Sequence, residues 1–192
     1  MNRAPGAREA TDDELVTWSA NGDRRAFDEL VVRHGPYALR VAARLVRNTA
    51  LAEDLVQEAF VRCWSQMHRF DTRRARFTTL LYRIVVNLCI DTKRRQEPEP
   101  LPDDFDIIDA GGGAEEMMES HECDLVLARA LDDLPVRQRA ALTLVYDQGL
   151  SGAEAASVLG SSVKAVERLL ARARSCLRAR LLSTQLSESD RC

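Results

Sequence analysis

The 192-residue sequence predicts an all-α protein of two small helical domains joined by an acidic, flexible linker. Three observations carry this reading. Apolar residues recur at intervals of three and four, strict alternation is scarce, and Asn21-Gly22 closes a helical pattern instead of joining two alternating runs. The stretch from Gln96 to Glu119 breaks that pattern with Pro98, Pro100, Pro102 and the triplet Gly111-Gly112-Gly113. Charge is segregated although the net value is only −3: residues 69–95 carry +6, residues 97–124 carry −11, and residues 160–182 carry +5.

The elements follow from local chemistry. Thr11-Asp-Asp-Glu14 matches a capping box, in which a threonine and a glutamate three residues on satisfy each other's free amides. It opens a helix that should end near Asn21-Gly22. A second helix is expected from Arg24 to Arg47, with an interruption at Gly35-Pro36, because proline lacks an amide donor and clashes with the preceding turn. After Asn48-Thr49 a third should run from Ala50 to Met67, burying Leu51, Leu55, Val56, Ala59, Phe60 and Cys63. A fourth, from Phe77 to Arg95, should turn Phe77, Leu81, Ile84, Leu88 and Cys89 inward and Arg83, Asn87, Asp91 and Arg94 outward.

Beyond the linker, a helix is expected over Glu122–Leu134, and Pro135 suits the first turn of the next, which should end at Gly149. Ser151-Gly-Ala-Glu154 is a second capping box. It opens a short helix through Leu159, with Gly160 as a left-handed cap. Ser161 or Ser162 then caps a last helix from Val163 to Leu182. Helix, glycine turn, helix is the helix-turn-helix pattern. In the last helix Val166, Leu170, Ala173 and Leu177 form the core stripe, while Lys164, Arg168 and Arg172 share another side. Such a helix can enter a major groove with its N-terminal residues on base edges. In the first basic block Arg73, Arg74 and Arg76 lead into a face with Arg83, Asn87 and Arg94, which can follow a phosphate backbone and offer an amide to a base.

Other classes find little support. No GxxxxGK[ST], HExxH, GxSxG or GxGxxG pattern occurs, so no catalytic constellation, cofactor or metal site is indicated. Cys63, Cys89, Cys123, Cys176 and Cys192 are scattered, without a CxxC pair. No apolar window approaches the roughly 18 residues of a membrane span, and residues 1–10 hold no apolar run. A cytoplasmic protein with no direct membrane insertion is expected.

Four passages resemble one family, the extracytoplasmic-function (group 4) sigma factors of bacterial RNA polymerase. They are NGDRRAFDELVVRH at 21–34, AEDLVQEAFVRCW at 52–64, FTTLLYRIVVNLCIDTKRR at 77–95, and the long passage from Leu134 to Arg178. The resemblance implies an N-terminal tail over 1–10, a region 2 domain over 11–95, a linker over 96–120, a region 4 domain over 121–182 and a C-terminal tail over 183–192. It implies that Asp54, Gln57 and Glu58 dock on the clamp helices of the largest polymerase subunit, with region 4 near the flap. It implies −10 element contacts from Arg73, Arg74, Arg76, Arg83, Asn87 and Arg94, with the loop 68–76 capturing a flipped base. It implies −35 element contacts from Ser161, Ser162, Lys164, Arg168 and Arg172. Promoter DNA, core polymerase and an anti-sigma factor, often membrane-anchored, are the implied partners.

The sequence departs from the family pattern at Leu80, where tryptophan is frequent, and at Lys164-Ala165 and Glu167 in the recognition helix. With only Phe77 and Tyr82 as aromatics on the fourth helix, modest unstacking power is expected. The rival reading is a two-domain regulator that binds operator DNA through its helix-turn-helix without polymerase.

Overall fold

The computed structural model describes residues 6–73, 75–96 and 129–189, and among these every regular element is helical. Helix α1 spans Asp12–Ala20, and its capping box forms as expected: the Glu14 carboxylate accepts from the Thr11 amide at 2.7 Å, and Thr11 Oγ1 accepts from the Glu14 amide at 3.4 Å. Helix α2 spans Arg24–Val46, started by the Asp23 side chain, which accepts from the amides of Arg25 and Ala26. Helix α3 spans Thr49–Gln66 behind Asn48 and tightens into a short 3-10 turn, Met67–Arg69. Helix α4 spans Phe77–Gln96.

Gly35-Pro36 does not interrupt α2. Pro36 is exposed, and so is Val32, whose carbonyl loses its helical donor. On the opposite face Leu30, Ala38, Val41 and Leu45 are fully buried. Proline in a helix interior costs about 3 kcal/mol, and burial on both sides of it holds the helix continuous. The helix stops at Arg47, the only non-glycine residue with positive φ among those described, whose amide returns to the Ala43 carbonyl.

The linker and most of the helix expected over Glu122–Leu134 lie outside the described residues; residues 129–132 are helical. Pro135 is the N-cap of the next helix, not a first-turn residue, with the extended ψ of 140° that such a position takes. That helix, α5, spans Val136–Leu142 and widens into a π turn over Thr143–Asp147. Helix α6 spans Gly152–Leu159 with its capping box formed and Gly160 in the left-handed region at φ 58°. Helix α7 spans Val163–Ser189.

The two units do not stand apart. Helix α6 packs on α4, and α5 packs on α2 and α4. Their buried residues form one continuous core, from Leu15, Leu30, Leu45, Leu81 and Val85 on one side to Ala140, Leu144, Val158 and Val166 on the other. At the junction lies Arg139, 7% exposed. Its guanidinium donates to the carbonyls of Leu131 and Asp132 at 3.0 and 2.6 Å, of Leu134 at 2.9 Å, and of Leu45 in the last turn of α2 at 3.1 Å. Nothing in the pattern VRQRAAL distinguishes this arginine from its neighbours.

Two outcomes follow. Arg139→Met should lower the unfolding free energy by about 2–4 kcal/mol, since buried carbonyls lose a charged donor; denaturant titration measures it. The Glu14 carboxyl is held below its ordinary value, first by the Thr11 amide and then by the Thr11 hydroxyl. A lowered folded-state pKa contributes stability above the unfolded value and loses it as pH falls through the folded one. Glu14→Gln should therefore flatten the decline of thermal stability below about pH 4.3, the ordinary glutamate value.

Candidate nucleic-acid interface

The last helix presents its cations as the spacing predicts. Val166 and Ala173 are fully buried, Leu170 and Leu177 half-buried, and Lys164 and Arg168 exposed one turn apart. Arg172, one turn further, is half-buried. The two serines divide their work. Ser162 caps the helix, its hydroxyl accepting from the Ala165 amide at 3.2 Å, while the Ser161 hydroxyl oxygen is buried within the turn without a partner. The preceding helix is set by Ser151 and Glu154, and Gly160 supplies the backbone that reverses the chain. The open cationic face is thus Lys164 and Arg168 at the N-terminal end, where helix amides also favour phosphate.

The first basic block is arranged differently. Arg73 is exposed and bonded to Asp71, and Arg74 lies outside the described residues. Arg83, Asn87, Asp91 and Arg94 all reach solvent on one side of α4. Two of the block's arginines are engaged by the C-terminal unit: Arg76 Nη1 meets Glu154 Oε1 at 3.2 Å, and Arg83 Nε and Nη2 meet the Ser157 carbonyl at 3.1 and 3.0 Å. Phe77 and Tyr82 are not surface aromatics. Phe77 is 2% exposed and packs edge-on to Phe27, and Tyr82 is 6% exposed with its hydroxyl donating to Gln148 Oε1 at 3.0 Å. Burial, the largest influence, raises the Tyr82 pKa. Neither ring is available to a base in this arrangement.

Asp54, Gln57 and Glu58 are all exposed on the outer side of α3, opposite buried Ala52, Val56, Ala59 and Cys63. Glu58 is paired with Arg62 at 2.8 Å. Val61 extends the patch by one turn and is 63% exposed, an apolar residue off the buried stripe. Its position was legible in the α3 spacing, since it falls seven residues after Asp54.

Comparison with known proteins decides the family. The Sigma-70 region 2 profile matches residues 30–99, and the Sigma-70 region 4 profile matches residues 124–177. The ECF RNA polymerase sigma factor SigM of Mycobacterium tuberculosis is 36% identical over 179 residues, covering 92% of this chain and 87% of that one. The chain belongs to the ECF sigma factors. The ECF sigma-E factor of Escherichia coli is 33% identical over 182 residues, covering 89% and 94%. Among solved structures, CnrH in complex with the cytosolic domain of CnrY superposes with a TM-score of 0.68 at 31% identity, covering 90% of this chain and 99% of that one. Region 2 therefore includes most of α2, α3 and α4, and region 4 contains α5, α6 and the first half of α7.

The exposed pair on α7 generates a prediction. Lys164→Ala and Arg168→Ala should each weaken duplex binding. A base contact should cost about 1–3 kcal/mol at one promoter position, whereas a phosphate contact should weaken all sequences and reduce the salt slope by about 1. Salt-titrated binding to a cognate promoter separates the two.

Proposed function

We propose that this sigma factor binds core RNA polymerase and directs initiation at promoters whose −10 and −35 elements it reads, acting in the cytoplasm as a group 4 member. The observation that supports this most strongly is the succession of region 2 and region 4 in one chain, each carrying a solvent-facing basic helix. In this reading residues 11–95 form the region 2 domain, 96–120 the linker and 121–182 the region 4 domain. Asp54, Gln57 and Glu58 dock on the polymerase clamp helices, and Val61 adds apolar area beside them. Arg73, Arg74, Arg76, Arg83, Asn87 and Arg94 engage the −10 element, with Asn87 offering a donor and an acceptor to one base. Lys164 and Arg168 face the −35 element; Ser162 caps their helix, Arg172 flanks it, and Ser161 contributes through the turn.

A base read in a pocket must first leave the stack, at a cost of a few kcal/mol. With Phe77 and Tyr82 in the core, capture here rests on cations and on Asn87. An anti-sigma factor is the proposed regulator. CnrH binds the cytosolic domain of CnrY, which supports a protein partner for this fold.

Competition for purified core polymerase tests the docking assignment. Asp54→Lys with Glu58→Lys should weaken core binding at least tenfold, about 1.4 kcal/mol, while each substitution alters stability by less than about 0.5 kcal/mol. Unchanged affinity would refute it, and tight operator binding without polymerase would favour the regulator reading.

A further inference from the structure

The loop assigned above to base capture, residues 68–76, is anchored at both ends on one aromatic side chain. Phe27 of α2 packs edge-on against Trp64, in the last turn of α3, with ring centroids 5.1 Å apart, and against Phe77, the first residue of α4, at 6.5 Å. Phe77 has a second ring beside it, His34 of α2, at 5.5 Å with the planes tilted by 54°. Helix α1 packs on the 3-10 turn Met67–Arg69 and on α4, so it too meets the loop at both ends.

His34 joins these two supports. Its Nε2 lies 2.7 Å from Asp12 Oδ2, in the first turn of α1, and because a carboxylate oxygen accepts, Nε2 is the donor. Asp12 is itself held. Its Oδ1 accepts from Arg33 Nη1 at 3.2 Å, and the same guanidinium donates to the carbonyls of Ala7, Arg8 and Ala10 at 3.0, 2.9 and 2.7 Å. The His34 side chain is only 14% exposed. Phenylalanine or leucine there would fill the space against Phe77 without a polar nitrogen to satisfy. What an apolar side chain would not supply is direction: a hydrogen bond constrains distance and angle, whereas apolar burial is non-directional. Arg76, whose carbonyl accepts from the amides of Thr79 and Leu80, immediately precedes Phe77, so the setting of that ring also sets where the last cation of the loop joins α4.

We propose that His34 is a positioning residue for base capture: bonded to Asp12 and packed on Phe77, it fixes the start of α4 relative to α1 and so the geometry in which the loop 68–76 receives a flipped base. His34 touches no DNA in this role; it acts through Phe77. The proposal rests on the reading of the loop as the capture site and names what holds that site in register. An extruded base has given up its stacking, so the groups that receive it must already be in place.

The test uses holoenzyme assembled from purified core polymerase and the full chain. The probe is a fork-junction DNA library randomised through its upstream duplex and its unpaired −10 segment, and sequencing of the bound fraction gives the enrichment of each base at each position. The parent should enrich one base strongly at one unpaired position. His34→Ala should lower that enrichment about tenfold and leave the other positions and core affinity unchanged, a selective loss of the kind that small misplacements of a positioned group produce. His34→Gln, which keeps an N–H donor toward Asp12, should restore most of it. Asp12→Ala leaves the ring on Phe77 and should reproduce the loss; it decides the matter if His34→Ala does not fold. Equal loss at every position would mark a general structural role and overturn the proposal. So would an unchanged profile in both alanine variants, or a loss that His34→Gln does not reverse. Arg73→Ala separates the proposal from the reading beneath it. If Arg73→Ala abolishes the enrichment while the His34 and Asp12 variants keep it, the loop captures the base and the role of His34 is wrong. If the parent enriches no base, the capture reading fails and the proposal falls with it.

Discussion

Arg139 sits between the two helical units with its guanidinium enclosed by four backbone carbonyls, from the last turn of α2 and from residues 131–134. A cation taken out of water needs donors matched to acceptors, or it costs several kcal/mol. Here three of the acceptors, Leu45, Leu131 and Asp132, lie in the last turns of helices, where carbonyls bear partial negative charge. Satisfying the arginine therefore fixes the position of α5 on α2. Once α5 is seated, the π turn falls against α2 and α6 against α4, and the apolar cores join.

The same seating brings opposite charges together. Region 2 carries its arginines along α2 and α4; region 4 answers with Asp132, Asp147, Glu154 and the end of α6. The outward helix α7 is left with Lys164 and Arg168 facing solvent. One of the two basic faces proposed for DNA is thus open, and the other is partly used by the protein itself. The docking patch proposed on α3, Asp54, Gln57 and Glu58, faces solvent and lies apart from the contact between the units.

Much of this was legible because it is local. Both capping boxes, the Gly160 cap and the outward set on α4 follow from interactions within four residues. What escaped depends on tertiary contacts. Pro36 looked like a break because local chemistry disfavours it, yet burial of Leu30 and Val41 on either side overrides that cost. The π turn has no sequence signature, since its hydrogen bonds skip the usual register. Ser161 and Ser162 are equivalent as caps on paper; only the packed turn buries one hydroxyl and exposes the other. Phe77 was legible as an inward residue of α4, whereas the burial of Tyr82 depends on Gln148 of the other unit and was not. The closure of region 4 over Arg76 and Arg83 pairs residues more than seventy positions apart, beyond any periodicity.

As a sigma factor, the chain confers promoter selection on a polymerase that lacks it. The direct measurement is run-off transcription from fragmented genomic DNA with core polymerase, with and without the purified chain, followed by mapping of transcript 5′ ends. Discrete new start sites should share two upstream sequence blocks and disappear when the chain is omitted. Unchanged start sites, with the chain bound to duplex DNA independently of polymerase, would contradict it.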